Sequence, residues 1–159
     1  MECGGAIMSD DSETQALIAA ARAAMAHAHA PYSRFAVGAA VRLTDGSIVT
    51  GCNFENASYG LSLCAETVAL ATVNAQGRFA DVAAIAVVGG AMDSADEALV
   101  TPCGRCRQVM NEAEQMAGRP LAIHCATPSG DRVLALTLAD LLPHAFGPAD
   151  LGIAPAKKS

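Results

Sequence analysis

Apolar positions first recur at helical spacing. Leu17, Ile18, Ala21 and Met25 share one helix face. Ser12-Glu13-Thr14-Gln15 reads as a capping box that opens this helix, and Pro31 closes it by about Ala30. The period then shortens. Phe35 to Leu43 reads as a strand, Asp45-Gly46 as a hairpin turn and Ser47 to Asn53 as the return strand. A polar stretch to Ser62 leads into a helix from about Cys64 to Asn74. Val82 to Val88 is a continuous apolar run, the pattern of a buried central strand, with a loop over Gly89 to Leu99. A helix from about Gly104 to Met116 follows. Two short strands, Leu121–Cys125 and Val133–Leu136, flank a Pro-Ser-Gly turn, and Leu138–Leu142 is a last helical turn before a tail from Gly147. Helices alternating with strands predict an α/β chain built as a layered α/β/α domain.

Composition narrows the classes. At 159 residues with 52% hydrophobic content the chain supports one domain with a real core, which excludes whole-chain disorder. That domain is expected over 9–151, with flexible termini at 1–8 and 152–159. The net charge is −6 and no basic run exists, so a nucleic-acid polymer is not the expected partner. No apolar run approaches the roughly 18 residues of a membrane span, and Met1 to Thr14 lacks the pattern of a secretory signal. Met8 offers an alternative start to Met1. Without a signal, the six cysteines point to metal or catalytic use in the cytoplasm rather than to a disulfide framework, with Cys3 a loose terminal thiol.

Cys64-Ala65-Glu66 is followed, 39 positions after Cys64, by Cys103-Gly104-Arg105-Cys106 behind Pro102. Both half-motifs fall at predicted helix starts, where the helix dipole favours thiolate charge. Three protein ligands leave a tetrahedral zinc one open position, the arrangement of a catalytic site. Glu66, two residues from the first ligand, is then a general acid/base candidate; alone, it would be a favourable helix-end charge. A thioredoxin-like dithiol at Cys103/Cys106 competes with this reading. So does a closed structural zinc that takes a fourth ligand from Cys52, Cys125, His124 or His144. Cys52 and Cys125 fall on strands and read as core cysteines.

With these motifs the chain resembles the small homotetrameric zinc-dependent cytidine deaminases from about Pro31 to Gly147. The resemblance extends through Pro31-Tyr32-Ser33-Arg34-Phe35, the segment Gly51 to Gly60, Pro102 to Gln108, and Leu141 to Pro148. It implies a five-stranded mixed sheet, Zn2+ held by Cys64, Cys103 and Cys106, and proton transfer by Glu66. It further implies that Asn53 and Glu55 bond the ribose 3′-hydroxyl, that Phe35 packs on the pyrimidine, and that the Ala65 backbone reads the base edge. Phe146 of a neighbouring subunit would complete the aromatic wall, and Ala57 and Tyr59 would lie near a shared subunit boundary. Asn53 and Glu55 also alternate at a strand end, so both can face one side. Four of the six aromatics, Tyr32, Phe35, Phe54 and Tyr59, fall in one short window.

One position departs from the pattern. Many members carry arginine directly after Cys-Ala-Glu, and this chain has Thr67. Three thiolates on Zn2+ leave a formal charge of about −1, which a nearby cation would relieve. Arg105 is expected to do so by bonding a ligand thiolate, with Arg107 the other candidate. The activity implied is hydrolytic deamination of cytidine and deoxycytidine to uridine and deoxyuridine, in pyrimidine salvage, with water and a nucleoside as reactants. A modified cytosine nucleoside, such as an aminoacylnucleoside antibiotic, is the competing substrate. A zinc-stabilised binding protein is the non-enzymatic alternative.

Overall fold

The computed structural model describes residues 11–155. Cys3, Met8, the expected terminal segment 1–8 and residues 156–159 of the expected segment 152–159 lie outside these residues. Five strands form one mixed sheet: β1 (Phe35–Leu43), β2 (Ile48–Cys52), β3 (Val82–Ala91), β4 (Ala122–Ala126) and β5 (Val133–Leu136), in the order β2-β1-β3-β4-β5. Only β3 and β4 run parallel. Among the described residues four α-helices accompany them: α1 (Asp11–Met25), α2 (Ala65–Ala75), α3 (Gly104–Ala117) and the one-turn α4 (Leu138–Leu141). Among the described residues no helix is long and apolar enough to cross a membrane.

Strand alternation divides the core into two layers. Val41, Leu43, Ile85, Val87 and Ile123 pack with Leu70, Val73 and Met110 of α2 and α3. The opposite face is lined by small residues, Ala40, Ala84, Ala86 and Ala126, which receive Leu17, Ile18 and Ala21 of α1. This confirms the three-layer α/β/α expectation and explains the alanine content of the strands: a thin layer lets α1 lie close. A Cβ at Gly38 would fall 1.9 Å from the Ala21 carbonyl oxygen.

Several boundaries differ from the sequence reading. Ser12 lies inside α1 rather than at its cap, and the acids Asp11 and Glu13 occupy a first turn where the helix dipole favours them. The helix stops at Met25, five residues before Ala30, because His29 is drawn into a bridge with Phe54. The residues between follow i→i+3 turns, such as His27 N–H to Ala24 O at 3.0 Å. Strand β3 runs on through Gly89 and Gly90 to Ala91, where a loop was expected, because Phe35, Ala36 and Val37 pair with Ala91, Gly90 and Gly89. The expected tail from Gly147 instead forms a 3-10 turn, Pro148–Leu151, whose Ala149 N–H bonds Gln115 Oε1 of α3 at 3.1 Å.

Candidate active site and metal centre

Two helix starts meet at one point. Cys64 is the N-cap of α2 and Cys103 the N-cap of α3, both in extended backbone, and neither sulfur caps its own helix. Cys106 lies in the first turn of α3. The three Sγ atoms lie within 4.8 Å of one another, and Cys64 and Cys103 are 3.8 Å apart. That separation is about the edge of a tetrahedron with Zn–S bonds of ~2.3 Å, so the donor set fits zinc in spacing as well as in chemistry. Gly51 brings α2 to this point. A Cβ there would fall 2.5 Å from Ala69 N and 2.7 Å from Ala65 O, so only glycine lets the first turn of α2 rest on β2.

The charges follow from this crowding. A hydrogen bond with the Cys106 thiol, opposed by burial, holds Cys64 down at about 6. Cys106 itself is pushed upward by its hydrogen bond with Cys64 and by burial. A bound divalent metal takes all three as thiolates. Glu66 is 4% exposed in the first turn of α2. Burial raises its carboxyl above the ordinary range, which suits a group that must both take and give a proton.

A cavity of about 240 Å³ opens beside the sulfurs. Its walls include Asn53, Glu55, Cys64, Ala65, Glu66 and Cys103, which unites most of the residues singled out from sequence. Val37, Ser62, Leu63, Val100 and Thr101 complete the lining and were missed. Val37 could have been found as the alternate neighbour of Phe35 on β1, and Thr101 by its place just before Pro102-Cys103. Phe35, Ala57, Tyr59 and Phe146 are not among the lining residues. Phe35 lies over Gly89, where a Cβ would meet its ring at 3.3 Å. Tyr59 is 74% exposed and lines an adjoining hollow of about 400 Å³ with Tyr32, Ser33, Glu55 and Ser62. Ala57 is exposed in the preceding bend, and Phe146 is 60% exposed on the C-terminal segment.

Asn53 and Glu55 do more than face the cavity. Asn53 Oδ1 accepts from Val37 N–H at 2.8 Å, and its Nδ2 donates to Phe35 O at 2.9 Å. Glu55 Oε2 accepts from Tyr32 N–H at 2.9 Å and Ser33 N–H at 3.2 Å. Both side chains therefore latch the start of β1, while the Asn53 amide keeps one N–H and one lone pair for a ligand.

The expected Arg105–thiolate hydrogen bond is not the one Arg105 makes. Its Nη1 reaches the Ser62 carbonyl at 3.5 Å, and the guanidinium acts on Cys64 only by charge, helping to lower its pKa. Arg107 is committed elsewhere: its Nε donates to Pro102 O at 2.7 Å and its Nη1 to Leu141 O at 2.9 Å. Thr67, unremarked except as a departure, places Oγ1 3.7 Å from Cys106 Sγ.

Cys64 beside Cys103 and Cys106 makes a third sulfur where a bare dithiol would have two. Of the residues considered for a fourth ligand, none joins the cluster among the described residues. Cys125 is buried, which pushes its thiol up to about 11. A layered α/β/α domain with three convergent thiolate donors, a buried carboxylate and an adjoining cavity defines a metal-dependent hydrolytic enzyme.

Comparison with known proteins agrees. The family model for the cytidine and deoxycytidylate deaminase zinc-binding region matches residues 11–117. A cytidine deaminase of Halalkalibacterium halodurans is 43% identical over 139 residues, covering 87% of this chain and 98% of that one. A cytidine deaminase of Mycobacterium tuberculosis is 46% identical over 129 residues, covering 80% and 85%. Among solved structures, a cytidine deaminase from Burkholderia pseudomallei matches with a TM-score of 0.72 at 47% identity, covering 83% of this chain and 98% of that one. The chain belongs to the cytidine and deoxycytidylate deaminase family. Zinc is the metal its three thiolates are set to hold.

Proposed function

We propose that this enzyme hydrolyses cytidine and deoxycytidine to uridine and deoxyuridine in cytoplasmic pyrimidine salvage, as a single domain over 9–151 that assembles into a homotetramer. The observation that carries the reading is the buried Glu66, which lines the same cavity as Cys64 and Cys103. Relatives named cytidine deaminase support the substrate. The net charge of −6 supports a small nucleoside over a nucleic-acid strand.

Zinc held by Cys64, Cys103 and Cys106 supplies the Lewis acidity that makes water nucleophilic near neutral pH. Glu66 takes a proton from the water whose oxygen adds to C4 of the pyrimidine, and gives it to N3. It then carries the second proton to the 4-amino group, which leaves as ammonia. The Ala65 backbone reads the base edge. Asn53 uses its remaining N–H, and Glu55 a carboxylate oxygen, on the ribose 3′-hydroxyl. Phe35 packs on the base. Phe146 of a neighbouring subunit supplies the outer wall, and Ala57 and Tyr59 lie near that boundary. The exposure of Tyr59 and Phe146 supports an assembly that covers them.

Turnover of cytidine, followed by ultraviolet absorbance with zinc quantified in the same sample, tests the reading. We expect turnover with about one zinc per chain, and Glu66→Gln should abolish it while retaining zinc. Zinc without cytidine turnover would move the assignment to a modified cytosine nucleoside. The hollow adjoining the cavity at Glu55 and Ser62 favours that second reading, since it offers room for a substituent. Turnover that survives Glu66→Gln would remove Glu66 from the chemistry.

A further inference from the structure

Helix α3 begins at the metal site, and its middle holds a different part of the chain. Gln108 Nε2 donates to the Phe146 carbonyl at 2.8 Å, and Asn111 Nδ2 donates to the same oxygen at 3.1 Å. One turn further on, Gln115 Oε1 accepts from Ala149 N–H. Gln108, Asn111 and Gln115 follow the three- and four-residue steps that place side chains on one helix face. Asn111 is only 5% exposed. A buried amide is costly unless bonded, and its bond goes to this carbonyl. This segment, the strap 144–150, is seated closely: a Cβ at Gly147 would fall 2.5 Å from Gln115 Nε2 and 2.7 Å from Asn111 Nδ2. His144, two residues before Phe146, takes a left-handed φ of 55°, and Gly147 N–H bonds Asp150 Oδ2 at 2.8 Å. The backbone on both sides of Phe146 is thus fixed, yet the residue is 60% exposed. Ordering the backbone that carries an exposed ring costs freedom without gaining burial for the ring, unless a partner receives it.

We propose that Gln108 and Asn111 are positioning residues, which fix the strap so that the Phe146 ring enters the substrate cavity of a second copy of this chain. The proposal rests on the role given to Phe146 above and adds the device that sets its direction. Because Cys103 and Cys106 lie on the same helix as the two amides, α3 serves its own chain's metal centre with its first turn and the neighbour's cavity with its second and third.

Asn111→Leu keeps the volume and removes the donor. Its KM for cytidine should rise about fivefold or more, the scale of one lost aromatic contact, with kcat, zinc content and assembly size retained. Gln108→Met, at an exposed position, should move KM the same way to a smaller extent, and it carries the test if Asn111→Leu does not fold. The decisive arm is mixing. Each variant is co-expressed with an excess of Glu66→Gln chains, which are inactive but carry an intact strap. KM at the remaining active sites should return to the wild-type value, because their outer wall now comes from the neighbour. A strap that only stabilises its own chain would leave KM raised in the mixture, and that result, or an unchanged KM in both variants, overturns the proposal. Phe146→Ala separates the layers. If it raises KM while the two amide variants do not, only the positioning role fails; if it leaves KM unchanged, the assignment of Phe146 fails with it.

Discussion

Thr67 shows how one residue bears on the electrostatics of the metal site. Three thiolates on a divalent metal leave a net negative charge, and a side chain that donates to one of them spreads it. Directly after Cys-Ala-Glu this chain has a hydroxyl 3.7 Å from Cys106 Sγ, with Arg105 acting on Cys64 by charge from the exposed side. Thr67→Val removes the donor and keeps the shape. We expect zinc to transfer to a competing chelator about tenfold faster than from the wild type, with Thr67→Ser close to the wild-type rate. Identical release from all three proteins would show that the contact is mere proximity. The cysteines and Glu66 were legible in the sequence because their chemistry depends on residue type and short spacing. The use of Asn53 was legible only by half. Its alternation with Glu55 gave the face, but its bonds to Phe35 O and Val37 N–H depend on a strand 16 to 18 positions away.

At the scale of elements, two glycines set close approaches on the two faces of the sheet, and the first of them builds the site. Gly51 lets the first turn of α2 rest on β2, and Gly38 lets α1 rest on β1. In Gly51→Ala the new methyl would meet the backbone at Ala65 O and Ala69 N, neither of which is a flexible side-chain tip. Helix α2 must therefore shift, taking Cys64 and Glu66 with it. We expect a loss of about 1–3 kcal/mol in urea unfolding, the usual cost of overpacking, together with less than one zinc per chain. Wild-type stability and full zinc in this variant would show that α2 is not fixed by this contact. The same logic explains which elements could be read in advance. Strand β1 and the start of α3 lie within about a residue of their expected places, since local pattern decides them. The end of α1 and the last residues of β3 do not, since His29–Phe54 and Phe35–Ala91 are pairings between distant residues. Glycine at 89 and 90 signals a loop locally, yet here it makes room beneath Phe35 and beside Pro128.

Across the whole molecule the two faces of the sheet differ in their tolerance of charge. The α2/α3 face carries the larger apolar cluster, and the buried polar side chains of these two helices are the carboxyl of Glu66 and the amide of Asn111. The α1 face holds a half-buried Arg42, paired with Glu13 at 2.8 Å, and a buried His124, which is 6% exposed with its Nε2 unbonded. Burial, and then the charge of Arg42, lower the His124 pKa from its ordinary 6.5. The sign of the effect follows. The unfolded chain takes up a proton near pH 6.5 and the folded chain resists it, so the unfolded state binds more protons over that interval. The contribution of the neutral imidazole is therefore fully present above about pH 6.5, and stability falls as the pH drops below it. Urea midpoints of the zinc-loaded protein should decline between about pH 7.5 and 5.5, and the decline should be smaller in His124→Leu, which keeps the apolar bulk without the titrating group. Acid also protonates the thiolate ligands, but that term is common to both proteins, so the difference between their slopes belongs to His124. Equal slopes would mean that the α1 face accepts the imidazolium without cost, by admitting water or by moving Arg42 aside.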